Sequence, residues 1–341
     1  MRDVTGAIDQ WRAAGQPVAV ATVVQTWGSS PRQAGAKMAL TPGGDLAGSV
    51  SGGCVEGAVF EAGVAALKQN QGRLLHFGVA DETAWEVGLA CGGSIDVFVQ
   101  PLAAGAYEAV KAALDRQAEF AVLTVVAGPQ LGGQLVLDAT GTRWSNLDAA
   151  SAASAADLAQ AALTAGQSQR QPWEGGEAFI EVVVPPPTLV AVGGVHITIA
   201  LVALAKTLGY RTIVVDPRAA FGNDFRFPPG SVDRLIQEWP DEALAMIALT
   251  PGTAVAMLTH DPKLDDPALK IALPSAAFYV GALGSQTTQA KRRQRLLNDG
   301  LTEAQLDRLH GPIGLPLHAA TPEEIALSVM AEIVKVKNEG K

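Results

Sequence analysis

Three consecutive prolines, Pro185-Pro186-Pro187, constrain the fold of this 341-residue chain more than any other feature. Proline fixes φ and carries no N–H, so the triplet sits in neither a helix nor a central strand and favours a stiff, extended connector. It divides the sequence into residues 1–184, the linker 185–187, and residues 188–341. The two halves differ in pattern. After the prolines, strands expected over 188–192, 212–215, 254–259 and 278–282 alternate with helices over 198–208, 241–248 and 287–298. Such alternation implies a doubly wound parallel sheet of Rossmann-like type. A last helix opens at Thr321-Pro322-Glu323-Glu324, where threonine caps, proline takes the first helical position and the second glutamate completes a capping box. Before the prolines the pattern is mixed α+β. Helices are expected over 3–14, 55–68, 107–116 and 149–164, with short strands over 18–24, 74–79, 95–99, 120–126, 134–137 and 179–184. A hairpin over 37–40 and 46–50 turns at Pro42-Gly43-Gly44-Asp45. Two domains and an α/β class follow.

Composition narrows the function. The chain has 34 acidic against 25 basic residues, a net charge of −9, which argues against a general nucleic-acid binder. No apolar run approaches about 18 uninterrupted residues, so no membrane span is expected. The first residues lack the basic stretch and apolar block of a signal peptide. Two cysteines in so long a chain do not make a disulfide framework, and reduced thiols in the cytoplasm are expected.

Both cysteines adjoin glycine pairs, in Ser51-Gly52-Gly53-Cys54-Val55-Glu56 and in Cys91-Gly92-Gly93-Ser94. A cysteine on a glycine turn is expected to be exposed, and Cys54 precedes a helix whose N–H groups and dipole favour thiolate. A zinc site is not expected, because 36 residues separate the two thiols and His76 is the lone histidine of that half.

In the second half, Val190-Ala191-Val192-Gly193-Gly194-Val195-His196 stands where a strand passes into a helix, the place of a dinucleotide fingerprint. Gly193, Gly194 and His196 are its candidate binding residues, while Val195 replaces the glycine that lets a backbone approach pyrophosphate. Asp216, 23 residues beyond Gly193, holds the place of a ribose-binding acid, and Arg218 that of a phosphate partner. NAD or NADP is thus a candidate ligand, with Val195 standing against the usual pose. A second glycine turn, Gly281-Ala282-Leu283-Gly284-Ser285, precedes a helix with Lys291, Arg292, Arg293 and Arg295. It reads either as an anion cradle or as a solvated basic face.

The ordered set of motifs resembles the XdhC/CoxI family of maturation factors for molybdenum hydroxylases such as xanthine dehydrogenase. The matching segments are Gly28-Ser29-Ser30-Pro31-Arg32, Gly35-Ala36-Lys37-Met38, Ser51 to Glu56, Cys91-Gly92-Gly93, Asp216-Pro217-Arg218, Tyr279 to Ser285, Gly311 to Leu315 and Thr321 to Ala326. Two positions depart from the family pattern: Val195, and His318 in Pro316-Leu317-His318-Ala319. The resemblance implies a cytoplasmic chaperone, rather than a turnover enzyme, that binds molybdenum cofactor while a sulfur ligand is installed. It implies two partners, a cysteine desulfurase and the apo-hydroxylase that receives the cofactor. The oligomeric state is left open, with a homodimer as one candidate because such proteins often pair by twofold symmetry.

On this reading Cys54 and Cys91 contact the cofactor or carry sulfur. Gly28, Ser29, Ser30, Ser51, Gly52, Gly53, Gly92 and Gly93 offer unobstructed donors to its oxyanions, and Arg32 a fork for its phosphate. Two rival readings use the second half: an NAD(P)-dependent oxidoreductase, and a non-catalytic scaffold that senses nucleotide.

Overall fold

A computed structural model of the chain describes residues 1–30, 32–78 and 93–339. The chain forms two compact units, Met1–Pro185 and Pro186–Lys341. The first holds helices α1 (Arg2–Ala13), α2 (Glu56–Gln69), α3 (Ala104–Asp115) and α4 (Ala149–Ala165). Strands β1 (Ala19–Trp27), β2 (Lys37–Leu40), β3 (Leu46–Gly48), β4 (Arg73–Phe77) and β5 (Ser94–Pro101) make one antiparallel sheet in the order β3-β2-β1-β5-β4. Strands β6 (Phe120–Ala127), β7 (Gln134–Asp138), β8 (Gly141–Ser145), β9 (Gln169–Trp173) and β10 (Gly176–Val183) make a second, in the order β8-β7-β6-β10-β9.

Strand alternation assigns the faces of these sheets. Ala19, Ala21 and Val23 of β1 and Ile95, Val97 and Val99 of β5 pack with Val59 of α2. On the opposite face Val24 and Phe98 meet Val126 and Phe179 of the second sheet. The outer face of that second sheet is covered by α4 through Ala155, Ala159 and Ala162, small side chains that let the helix lie close. Between the sheets the Lys37 ammonium pairs with Glu181 at 2.7 Å, both side chains nearly buried. Lys37 of the Gly35 to Met38 motif therefore joins the two sheets.

The second unit holds a six-stranded sheet with all pairings parallel. Its strands are β11 (Thr188–Val192), β12 (Arg211–Val215), β13 (Arg234–Ile236), β14 (Thr253–Met257), β15 (Tyr279–Ala282) and β16 (Leu309–His310), in the order β13-β12-β11-β14-β15-β16. Helices α5 (His196–Thr207), α6 (Pro240–Ala245), α7 (Pro262–Ala272), α8 (Gln286–Asn298), α9 (Glu303–Leu306) and α10 (Pro322–Asn338) complete it. Val190, Val192, Ile213 and Val215 enter one buried layer, and Leu189, Ala191 and Val214 the other. Both sheet faces are thus covered, as continuous apolar strands require. The capping box at Thr321 and Glu324 is present, with Pro322 in the first turn of α10.

Six elements were not expected, β8, β9, β13, β16, α7 and α9, and two of them are instructive. Helix α7 was not expected, and its Asp261-Pro262 start and internal Pro267 are residues that locally favour a turn. Asp261 instead caps the helix by accepting from the Lys263 N–H at 2.9 Å. Strand β9 is the polar run Gln169-Arg170-Gln171-Pro172-Trp173. It lies at a sheet edge, where a proline is tolerated.

Candidate functional site

The loop before α2 is organised around one carboxylate. Glu56, at the first position of α2, folds back over residues 49–55. Its Oε1 accepts from the N–H groups of Val50 (3.2 Å), Ser51 (2.9 Å) and Gly52 (3.1 Å), and from the Ser49 hydroxyl at 2.6 Å. Its Oε2 accepts from the N–H groups of Gly53 (2.9 Å) and Val55 (3.2 Å) and from the Ser51 hydroxyl. Burial alone would raise its pKa, yet the Ser49 and Ser51 hydroxyls and the loop amides pull it down from 4.5 to about 2.

This arrangement corrects the sequence reading of the loop. Ser51, Gly52 and Gly53 do form an anion-binding nest, but its occupant is Glu56 rather than an open place for ligand oxyanions. The Cys54 N–H is committed as well, donating to the Ser51 hydroxyl at 3.0 Å. What the loop offers outward is the Cys54 thiol, which is free and exposed. The role of Glu56 was missed. Its signal was present in the serines of the Ser49 to Glu56 stretch, because a glutamate in a first helical turn reaches back to preceding N–H groups, as in a capping box.

The Gly28 to Arg32 loop adjoins this nest. The Arg32 Nε donates to the Ser49 carbonyl at 3.2 Å, and its guanidinium lies 3.6 Å from Asp3. Gly28 and Ser29 are exposed, while the Ser30 hydroxyl donates to the Arg32 carbonyl at 2.9 Å. Gly93 lies under this loop: an added Cβ would come within 2.4 Å of the Ser29 carbonyl oxygen and 2.8 Å of that of Trp27. The structure thus brings Gly28, Ser29, Ser30, Arg32, Ser51, Gly52, Gly53, Cys54 and Gly93 to one rim of the first sheet. Cys91 and Gly92 lie outside the described residues.

The glycine turn of the second unit is closed by its own chain. Gly193 and Gly194 are buried after β11, and His196 is exposed at the first position of α5. The Gly194 N–H donates to Asp216 Oδ2 at 2.8 Å. Arg218 donates to the same carboxylate through Nε at 2.9 Å, Nη2 at 2.7 Å and its backbone N–H at 3.0 Å. Asp216 is fully buried. Burial would raise its pKa, but the bonds from Arg218 and Gly194 hold it below the ordinary carboxylate range. An added Cβ at Gly194 would stand 2.2 Å from the Phe221 carbonyl oxygen, and Arg226 Nε donates to the Gly194 carbonyl at 2.9 Å.

The Asp216 carboxylate bonds the turn itself, and Arg218 is paired with Asp216. Val195, expected to intrude on a ligand, is the N-cap of α5 and packs against the apolar layer that includes Leu201 and Val202.

The second glycine turn follows the same principle. Ser285 caps α8, its hydroxyl accepting from the Thr288 N–H at 3.3 Å, and Gly281 lies beside Tyr279 and Ile313. Gly284 has a φ of +132°, a conformation that favours glycine. The arginines after it are paired with acids. Arg292 meets Asp265 at 2.9 Å with both side chains buried, Arg295 meets Asp266, and Arg293 meets Glu303 and Asp307. Neither an open anion cradle nor a free basic face describes these three side chains.

Against this geometry, residues 11–78 match the XdhC and CoxI family, and residues 189–333 match the XdhC Rossmann domain. The chain is 29% identical over 322 residues to a Bacillus subtilis protein named as a probable xanthine dehydrogenase subunit, covering 93% of this chain and 92% of that one. It is 26% identical over 326 residues to the molybdenum cofactor insertion chaperone PaoD of Escherichia coli, covering 95% and 84%. A crystal structure from Bacillus halodurans, described as a xanthine dehydrogenase, shares the fold with a TM-score of 0.78 at 23% identity, covering 98% of this chain and 96% of that chain. The two family matches take in more than half of the residues between them, one in each unit, and the chain belongs to the XdhC and CoxI family.

Proposed function

We propose that this protein is a chaperone of the molybdenum cofactor that holds it during sulfuration and delivers it to an apo molybdenum hydroxylase of xanthine dehydrogenase type. The similarity to a cofactor insertion chaperone supports the cofactor as cargo. The observation that carries the reading is the exposed Cys54 thiol on a loop whose shape is fixed by seven hydrogen bonds to one carboxylate. Such a loop presents sulfur in a fixed position without burying it. Cysteine sulfur there suits a soft metal centre or sulfur transfer. Gly28, Ser29 and Arg32 border the same rim and supply neutral and cationic donors for the anionic cargo. Cys91, Gly92 and Gly93 belong to this proposal through their motif.

The sulfur donor is a cysteine desulfurase, the setting is the cytoplasm, and the working form is a homodimer. Among the described residues no helix is long and apolar enough to cross a membrane. The nucleotide-dependent readings draw on the parallel sheet, but the Gly194 N–H and Asp216 bind each other. The fold therefore supports those readings more than the turn does.

Activation of a purified apo-hydroxylase by cofactor-loaded protein tests the proposal. Replacing Cys54 with alanine is expected to lower activation at least about tenfold while the variant stays folded, because the thiol is exposed and carries no core contact. Full activation by the alanine variant with unchanged cofactor retention sinks it.

A further inference from the structure

The face of β4 and β5 turned toward the second sheet carries polar groups that the proposed function leaves unused. His76 of β4 stands opposite Asp96 of β5 in the strand register, and its Nδ1 lies 2.6 Å from Asp96 Oδ1. Asp96 is buried, and its other oxygen pairs with Arg170 of β9. Arg170 in turn donates through Nε to Glu177 of β10 at 3.1 Å. A carboxylate only accepts hydrogen bonds, so Nδ1 must carry its proton, and in the neutral ring Nε2 is left as the acceptor. The imidazole is therefore fixed in orientation and tautomer by a chain of charges that crosses from one sheet to the other.

The free end of that ring faces outward. The His76 side chain is 61% exposed although Asp96 beside it is buried. An alanine Cβ at position 78 would stand 3.2 Å from Nε2 and 3.1 Å from the Ser94 hydroxyl, so a side chain there would crowd that nitrogen. Trp27, the last residue of β1, is 46% exposed. Its ring meets His76 edge to face, with centroids 6.0 Å apart and planes at 63°. Trp27 leads directly into the Gly28 to Arg32 loop, which is bound to the Cys54 loop through Arg32 and Ser49.

We propose that Trp27 and His76 form a binding corner for a planar heterocycle bearing N–H donors, of which the pterin part of the molybdenum cofactor is the instance here. The indole face stacks the ring system, and His76 Nε2 accepts a hydrogen bond from a ring N–H or amino group at its edge. Asp96 is a positioning residue that holds the histidine. The inference rests on the cofactor reading of the preceding section and adds the part of the cargo that is recognised here.

The test is titration of the purified full-length protein with pterin-6-carboxylic acid, followed by fluorescence anisotropy, alongside the pterin content of protein purified from cofactor-producing cells. Trp27→Ala and His76→Ala are each expected to weaken probe binding about tenfold, the scale of one stacking platform. Trp27→Phe keeps a stacking face and is expected to stay within about threefold of the parent. Gly78→Ala crowds Nε2 and is expected to weaken binding severalfold. Circular dichroism checks that each variant is folded. If the parent protein holds pterin and the Trp27 and His76 variants hold as much and bind the probe as tightly, the corner is wrong while the cofactor reading stands. If the parent neither holds pterin nor binds the probe, both fall.

Discussion

Two glycine turns, one in each unit, hold a carboxylate of their own chain where the sequence suggested an open place for a ligand anion. Glu56 fills the nest of residues 49–55, and Asp216 closes the Gly193-Gly194 turn. The surroundings differ. Glu56 is half-buried, and the residue two before it is an exposed thiol. Asp216 is fully buried, is neutralised by Arg218, and lies under the segment that carries Phe221 and Arg226. The first turn uses its carboxylate to shape a surface that still offers a reactive group. The second uses its carboxylate to seal a junction between strand and helix. Glycine-rich turns thus mark places where backbone N–H groups converge on an anion, and the chain itself decides whether that anion is internal.

The largest effect that would break this contrast is expected at the sealed turn. Asp216→Ala leaves the Gly194 N–H without an acceptor and Arg218 without its partner, at a cost of about 3 kcal/mol. Chemical unfolding of the full-length protein measures it. A change under about 1 kcal/mol would mean that the turn is not held by this carboxylate.

At the open turn the cost is smaller and shows chiefly in the thiol. Glu56→Ala is expected to lower stability by about 1–2 kcal/mol, as for loss of a helix cap, and to change the Cys54 alkylation rate at least about threefold as the loop relaxes. The pH dependence sharpens this. Because the Glu56 pKa is depressed from 4.5 to about 2, its contribution is complete above about pH 5 and is lost as pH falls from 4.5 toward 2. The stability gap between the parent and Glu56→Gln should therefore narrow over that acid window and stay constant above it. A gap that widens on acidification would contradict the assignment.

The smallest effect is at Gly52, whose φ is +85° with open space around an added Cβ. Alanine there meets no neighbour but strains the backbone, at about 1 kcal/mol. Unchanged stability would show that the loop readily adopts another shape.

Much of the architecture was readable before any coordinates. The alternating apolar runs after Pro187 carry the parallel sheet, since β11, β12, β14 and β15 are buried along almost their whole length. Cap chemistry placed the start of α10. Elements whose residues answer to distant partners were not readable. Helix α7 is rich in proline and aspartate, yet Asp265 and Asp266 face Arg292 and Arg295 of α8, a pairing that no local pattern announces. Strand β9 is a polar edge strand, and its Arg170 reaches Asp96 across the space between two sheets.

The site divides along the same line. The spacing of glycine, serine and cysteine in the motifs reports local backbone shape, and the gathering of their described residues at one rim is the work of the fold. The motifs did not fix which donors remain open, because Glu56 and Asp216 compete for those donors through contacts that the fold creates. His76 drew no attention in the sequence beyond being a lone histidine, since its partners Asp96 and Trp27 lie 20 and 49 residues away.

The central claim is that the thiol presented by the Glu56-shaped loop holds the cofactor. Its most direct test is the pterin and molybdenum content of the parent protein and of Cys54→Ala, purified side by side from cofactor-producing cells. The account predicts that the parent carries both and that the alanine variant, folded to the same degree, loses most of each. Equal pterin and metal in the two proteins would contradict it.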